Sequence, residues 1–216
     1  MTDLATNDGN APRFGSDLVA YALREQGFPY ISLNPGASFR ALHDSMVNFL
    51  GNETPEIITC MHEEHAIGIA QGYAKITDTA MPVAVHSNVG LMHATMGIFN
   101  AWCDRTPMLV IGATGPLDAV KRRPWIEWIH TTIDQGSLVR ESIRRGVLLA
   151  NARPSGPVYV CLDAGWQEAE LETVPNLDDI SKFKVPSDPE PPRAEFDEAL
   201  EILSKAERPF IFCGRV

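Results

Sequence analysis

Ile57-Ile58-Thr59-Cys60-Met61-His62-Glu63-Glu64-His65-Ala66-Ile67-Gly68-Ile69-Ala70-Gln71-Gly72-Tyr73-Ala74-Lys75-Ile76 changes its period part-way along. Ile57–Cys60 is short, β-branched at three positions and nearly all apolar, which suits a strand buried on both faces of a parallel sheet. From Glu63 to Ile76, Ala66, Ile67, Ala70, Tyr73 and Ala74 fall at the spacing of one helix face. The two acids, Glu63 and Glu64, open that helix, where its dipole favours negative charge. A buried strand leading through a short polar elbow into a helix is the building unit of an α/β domain.

The alternation continues on both sides. Tyr30–Leu33, Val83–His86, Met108–Ile111 and Val158–Leu162 read as further buried strands. Ser16–Glu25, Ser38–Leu50 (opened by a serine suited to N-capping) and Leu91–Trp102 read as helices between them. The expected fold is therefore a doubly wound α/β domain, with a mostly parallel sheet and helices on both faces, over residues 1–163. After Asp163 the composition shifts. Residues 164–192 hold Pro175, Pro186, Pro189, Pro191 and Pro192 among many acids and read as an extended linker. A helix at Arg193–Ala206 and a strand at Pro209–Cys213 then read as the start of a second α/β domain that stops at residue 216, so a truncated or incomplete chain is expected.

Composition narrows the function. The chain has 216 residues, with 18 Lys+Arg against 28 Asp+Glu, a net charge of −10. That balance argues against nucleic acid or an anionic membrane as a partner, because phosphate recognition needs clustered positive charge. The one basic run, Lys121-Arg122-Arg123, is short and reads as a solvated patch. No apolar run approaches the ~18 residues that cross a bilayer, and Met1–Pro12 lacks the apolar core of a secretory signal. Cys60, Cys103, Cys161 and Cys213 lie far apart, beside apolar runs, and read as small buried thiols. A cytoplasmic protein is expected.

In an open α/β sheet, ligands bind beyond the carboxyl ends of the strands. Those ends carry Asn34-Pro35-Gly36-Ala37-Ser38, Met61-His62-Glu63-Glu64-His65, His86-Ser87-Asn88-Val89-Gly90 and Gly112-Ala113-Thr114-Gly115-Pro116. Together these loops bring titratable and hydroxyl groups to one rim. Several familiar sites fail on spacing. His62 and His65 are three apart, not the i, i+4 pair of a zinc protease helix; no dinucleotide or P-loop glycine pattern follows a strand; Ser87 lacks the flanking glycines of a hydrolase nucleophile. No metal ligand is assigned, although His62, His65 and His86 form an alternative set around a metal. Taken singly, Glu63 and Glu64 are also ordinary first-turn acids, and His86 an ordinary strand-end histidine.

Taken together, the loops follow a known order. Asn34-Pro35-Gly36-Ala37-Ser38, His62-Glu63-x-x-Ala66 with Gly72-Tyr73-Ala74, His86-Ser87 with Gly90, Asn100-Ala101-Trp102 and Pro107 resemble the pyrimidine-binding domain of thiamine-diphosphate enzymes, in particular the acetolactate synthase and benzoylformate decarboxylase group. The likeness spans about Phe14 to Asp163. It implies a thiamine-diphosphate-dependent decarboxylase or carboligase of 2-oxo acids, with its active site between two chains of a homodimer or tetramer. The resemblance makes Glu63 the carboxylate beside the cofactor's aminopyrimidine, which promotes removal of the cofactor's C2 proton. Desolvation in an apolar cleft is expected to raise its proton affinity. The His86-Ser87 pair is similar to benzoylformate decarboxylase and makes His86 a proton shuttle and Ser38 a substrate contact, with Ala37 inserted before it. Pro35 and Gly36 approach the pyrimidine through backbone. His93 stands where that family has asparagine and is carried as a cofactor contact.

Two features depart from the family. Mg²⁺ and the diphosphate are held there by a C-terminal Gly-Asp-Gly domain, which these 216 residues lack. Val139-Arg140 also runs straight into Glu141, where the family has another strand, so an incomplete sheet edge is expected. The alternative reading is a catalytically inert chain, truncated or split, that dimerises without a Mg-diphosphate site.

Overall fold

The computed structural model describes residues 11–116, 118–121, 139–172 and 190–211. Five strands, β1 (Tyr30–Leu33), β2 (Glu56–Thr59), β3 (Met81–Ala84), β4 (Met108–Thr114) and β5 (Pro157–Asp163), form one parallel sheet in the order β2-β1-β3-β4-β5. The doubly wound reading holds. β3 and β4 are buried along their whole length, as parallel strands covered on both faces must be. Pro82 has no N–H to give a ladder, and it precedes the β1 pairing, which covers only Ser32↔Val83 and Leu33↔Ala84.

Among the described residues, seven α-helices pack around or follow the sheet: α1 (Gly15–Glu25), α2 (Arg40–Asp44), α3 (Glu63–Thr77), α4 (Ser87–Cys103), α5 (Val139–Asn151), α6 (Ala164–Glu168) and α7 (Arg193–Lys205). Asp17 secures the start of α1 by accepting hydrogen bonds from the backbone of Arg13 and Phe14, both at 2.9 Å. One core layer joins α1 and α5 to the sheet through Val19, Leu23, Leu109 and Ile143. The other joins α3 and α4 to it through Ile67, Ala70, Val83, Ala94 and Val110. Gly97 sets the α3–α4 spacing, because a Cβ there would stand 2.8 Å from Ile67 Cγ2.

Several expectations change. The helix read over Ser38–Leu50 is three pieces: a 3₁₀ turn (Ala37–Phe39), α2, and a π turn (Ser45–Phe49). The wide turn sets Ser45 Oγ against Ser16 Oγ at 2.8 Å and Asp17 Oδ1 at 2.7 Å on α1, a tertiary demand that overrides a continuous α-helix. Helix α4 starts at Ser87 rather than Leu91, and β3 stops at Ala84 rather than His86. Past Asp163 the chain stays on the domain: α6 packs on α1 with Gln167 fully buried, and Leu171 N–H donates to Arg13 O at 2.8 Å. Pro209–Ile211 form no strand; Phe212–Val216, like Arg122 and Arg123, lie outside the described residues. Helix α5 is unbroken, and β5, paired with β4 over seven residues, is the last strand on its side of the sheet among the described residues. Cys60 is buried, and burial pushes its thiol pKa up, but Cys103 is exposed and Cys161 half-buried. Among the described residues no helix is long and apolar enough to cross a membrane.

Candidate active site

The strand order reverses direction between β1 and β3, and the crevice beyond the carboxyl ends at such a switch point is where open α/β sheets bind ligands. The loops after β1, β2 and β3 meet there. Glu63 is the first residue of α3 and only 4% exposed. His62 caps the helix, its Nδ1 accepting from Glu64 N–H at 3.2 Å, and so turns Glu63 inward while Glu64 stays exposed. Gly90 leaves room for the carboxylate: a Cβ there would sit 2.9 Å from Glu63 Oε1.

Burial alone raises the proton affinity of a carboxyl group. Here the hydrogen bonds from its own backbone N–H and from the Asn34 side chain, together with His93, outweigh that burial, and the Glu63 pKa lies below its ordinary value. The expected rise is therefore corrected to a fall. His93 Nδ1 stands 3.2 Å from Glu63 Oε2. The His93 ring is half exposed and stacks on His62, with centroids 4.9 Å apart.

His86 belongs to a second cluster on the same rim. Its Nδ1 lies 2.9 Å from Ser38 Oγ and accepts from Ser38 N–H at 3.3 Å. Ser38 Oγ in turn accepts from Ser87 N–H at 3.1 Å. Acceptance at Nδ1 assigns the proton of neutral His86 to Nε2. Ser87 is wholly buried with φ +48°, a left-handed conformation that a non-glycine residue holds only under constraint. Gly36 is required by close approach, since a Cβ there would stand 2.7 Å from His86 Cγ; Pro35 beside it is exposed.

The structure thus groups Ser38 with His86, and Glu63 with His93. The sets are joined through Asn34–Ser38, whose first residue bonds Glu63 and whose last bonds His86. The alternative set of His62, His65 and His86 does not form: His62 lies with Glu63 and His93, and His86 is held by Ser38. Sequence reasoning missed Asn34 as a partner of Glu63, although its place in the β1 loop offered the signal. It also missed Gln167, whose Nε2 donates to Ser38 O at 3.3 Å from a segment read as linker. Beyond the site on α4, Met92 and Trp102 are exposed and Leu91 is half-buried. A cavity of about 430 Å³ lies at the opposite, amino-terminal ends of the strands, lined by Gln26, Phe28, Asp78 and Arg153 among others. It is remote from this chemistry, and the convergence of Glu63, Asn34 and His86 locates the site better than cavity size does.

The family described as thiamine pyrophosphate enzyme, N-terminal TPP binding domain, matches residues 13–138. The chain belongs to this family. The acetolactate synthase large subunit of Lactococcus lactis is 30% identical over 217 aligned residues, covering 94% of this chain and 36% of its own length. Glyoxylate carboligase of Escherichia coli O157:H7 is 24% identical, covering 92% of this chain and 34% of its own. Among solved structures, the thiamine diphosphate-dependent 4-hydroxybenzoylformate decarboxylase of Rhodococcus jostii RHA1 superposes with a TM-score of 0.70 at 18% identity, over 91% of this chain and 38% of that one; it shares the fold. The chain spans about a third of the length of the curated relatives it matches. The residues fit the family's cofactor: a buried carboxylate at the switch crevice can accept the hydrogen bond of a proton-bearing ring nitrogen of an aminopyrimidine, and the glycine opposite it leaves room for the carboxylate.

Proposed function

We propose that this domain forms the pyrimidine side of the active site of a thiamine-diphosphate-dependent 2-oxo-acid decarboxylase or carboligase, with Glu63 as the activating carboxylate. One observation carries the reading: Glu63 is buried at the mouth of the β1/β3 crevice, where hydrogen bonds to Asn34 and His93 hold its pKa below the ordinary value. When bound, thiamine diphosphate supplies an acidic C–H and an electron sink for decarboxylation. Glu63 would hold a proton shared with the pyrimidine, and Asn34 and His93 would keep its carboxylate aligned. Pro35 and Gly36 would present backbone to the ring. His86, aligned by Ser38, would carry protons to and from the 2-oxo acid through Nε2.

In this reading Mg²⁺ and the diphosphate are held by the region that the relatives carry beyond the matched span. The working unit is a homodimer or tetramer. The exposed row Val89, Met92, Met96, Phe99 and Trp102 along α4 supports that part, since a second subunit would remove it from water. A cytoplasmic location belongs to the same proposal, supported by Cys60 and Cys103, which form no disulfide among the described residues.

Assay of the full-length enzyme against aryl and alkyl 2-oxo acids tests the reading. At least one acid should be turned over, and His86→Ala should lower that turnover by roughly 10²–10⁴-fold, the usual worth of a positioned proton-transfer group, with cofactor affinity retained. Turnover unchanged by His86→Ala contradicts the role.

A further inference from the structure

The grouping of His62, Glu63 and His93 has a chemistry of its own. Each offers one ligand atom, and the three atoms lie within 4.8 Å of one another. Two imidazoles and a carboxylate suit Zn²⁺ and similar transition metals, whereas Mg²⁺ and Ca²⁺ take oxygen ligands. We propose that His62, Glu63 and His93 form a binding site for a divalent transition metal of the Zn²⁺ type.

The geometry is close to what such an ion requires. Ligands about 2.1 Å from a tetrahedral Zn²⁺ lie roughly 3.4 Å from each other. His93 Nδ1 and Glu63 Oε2 are already 3.2 Å apart. His62, within 4.8 Å of both, needs to close by at most about 1.4 Å, a rearrangement of its half-buried ring. A metal on its Nδ1 displaces the 3.2 Å hydrogen bond from Glu64 N–H; a metal on Nε2 places the ring proton on Nδ1. Either is a modest exchange against a metal–nitrogen bond. Glu63 is oriented from behind by the Asn34 side chain, the kind of outer support that fixes a ligating carboxylate. The ligands sit on α3 and its cap and on α4, two helices locked together where Gly97 meets Ile67. The half-exposed His93 leaves the fourth position open to water or to a further ligand.

The site goes beyond the proposed reaction and does not depend on it. It does use the same carboxylate, so a metal held there occupies Glu63 in competition with any other partner of that group.

Calorimetric titration of the 216-residue chain with Zn²⁺ alone, in a buffer without chelators, tests the proposal. One Zn²⁺ per chain is expected, with affinity at least tenfold lower in His93→Ala and in Glu63→Gln, unchanged in His65→Ala, and no comparable binding of Mg²⁺. Far-ultraviolet circular dichroism confirms that the variants are folded. Because His62 also caps α3, His93→Ala is the decisive variant. No stoichiometric binding, equal binding by His93→Ala, or an equal loss in His65→Ala overturns the site. The titration contains no cofactor, so these outcomes leave the thiamine-diphosphate reading to its own test.

Discussion

On one face of the sheet α1 and α5 close over Leu23, Leu109 and Ile143, and Arg144, 3% exposed, reaches Glu25 at 3.4 Å. On the other face α3 and α4 close over Ile67, Val83 and Val110 but leave Met92, Met96, Phe99 and Trp102 between 51% and 70% exposed. The first face buries these side chains, although Leu149 at the end of α5 is 60% exposed. The second carries Glu63 and His93 on helices whose outer surface is apolar and uncovered. In the proposed reading, stability and function are divided unevenly between the two layers. The α1/α5 layer is largely packed core, and the α3/α4 layer carries Glu63, His93 and an exposed apolar row, with Ser38 joining the site from the α1 side.

Changes on the two faces should therefore separate. Leu23 is fully buried in the first layer, so Leu23→Ala should destabilise the domain by about 2–5 kcal/mol in urea unfolding, with little effect on metal or cofactor affinity per folded molecule. A cost below about 1 kcal/mol would break the division. Glu63 gives a pH-dependent counterpart on the second face. Its pKa is lowered in the fold, so its favourable contribution is present above the ordinary glutamate pKa of about 4.3 and is lost as pH falls through the lower folded value. The stability difference between wild type and Glu63→Gln should thus shrink on acidification; a difference that grows at low pH would reverse the assigned direction. The smallest effect belongs to the surface. Met96→Ser should change the stability of the isolated chain by no more than about 0.5 kcal/mol while weakening self-association in sedimentation. A large loss of monomer stability would place Met96 in the core instead.

Much of this was legible in the sequence because burial on both faces makes parallel strands read as short apolar runs. All five strands lie where such runs predict, within two residues at each end except the carboxyl end of β4, which runs on to Thr114. The rim was legible for a topological reason: every loop after a strand must emerge at the same end. What sequence could not show depends on tertiary contact. The start of α4 hid because His86-Ser87-Asn88-Val89-Gly90 reads as a loop, and only a buried Ser87 at φ +48° makes it the entrance to a helix. Helix α6 hid behind an acidic, proline-rich composition, although Gln167 braces Ser38 from it. The direction of the Glu63 pKa shift turned on Asn34 and His93, which lie 29 and 30 residues away along the chain and meet the acid only in the fold.

In the proposed reaction Glu63 activates the cofactor. The most direct test of this role is hydrogen–deuterium exchange at C2 of thiamine diphosphate bound to the full-length enzyme, measured by rapid quench and proton NMR. Exchange should be fast in wild type and slower by at least about 10²-fold in Glu63→Gln, the lower end of what a positioned proton-transfer group supplies, with the cofactor still bound. Exchange at the wild-type rate in Glu63→Gln would contradict the account.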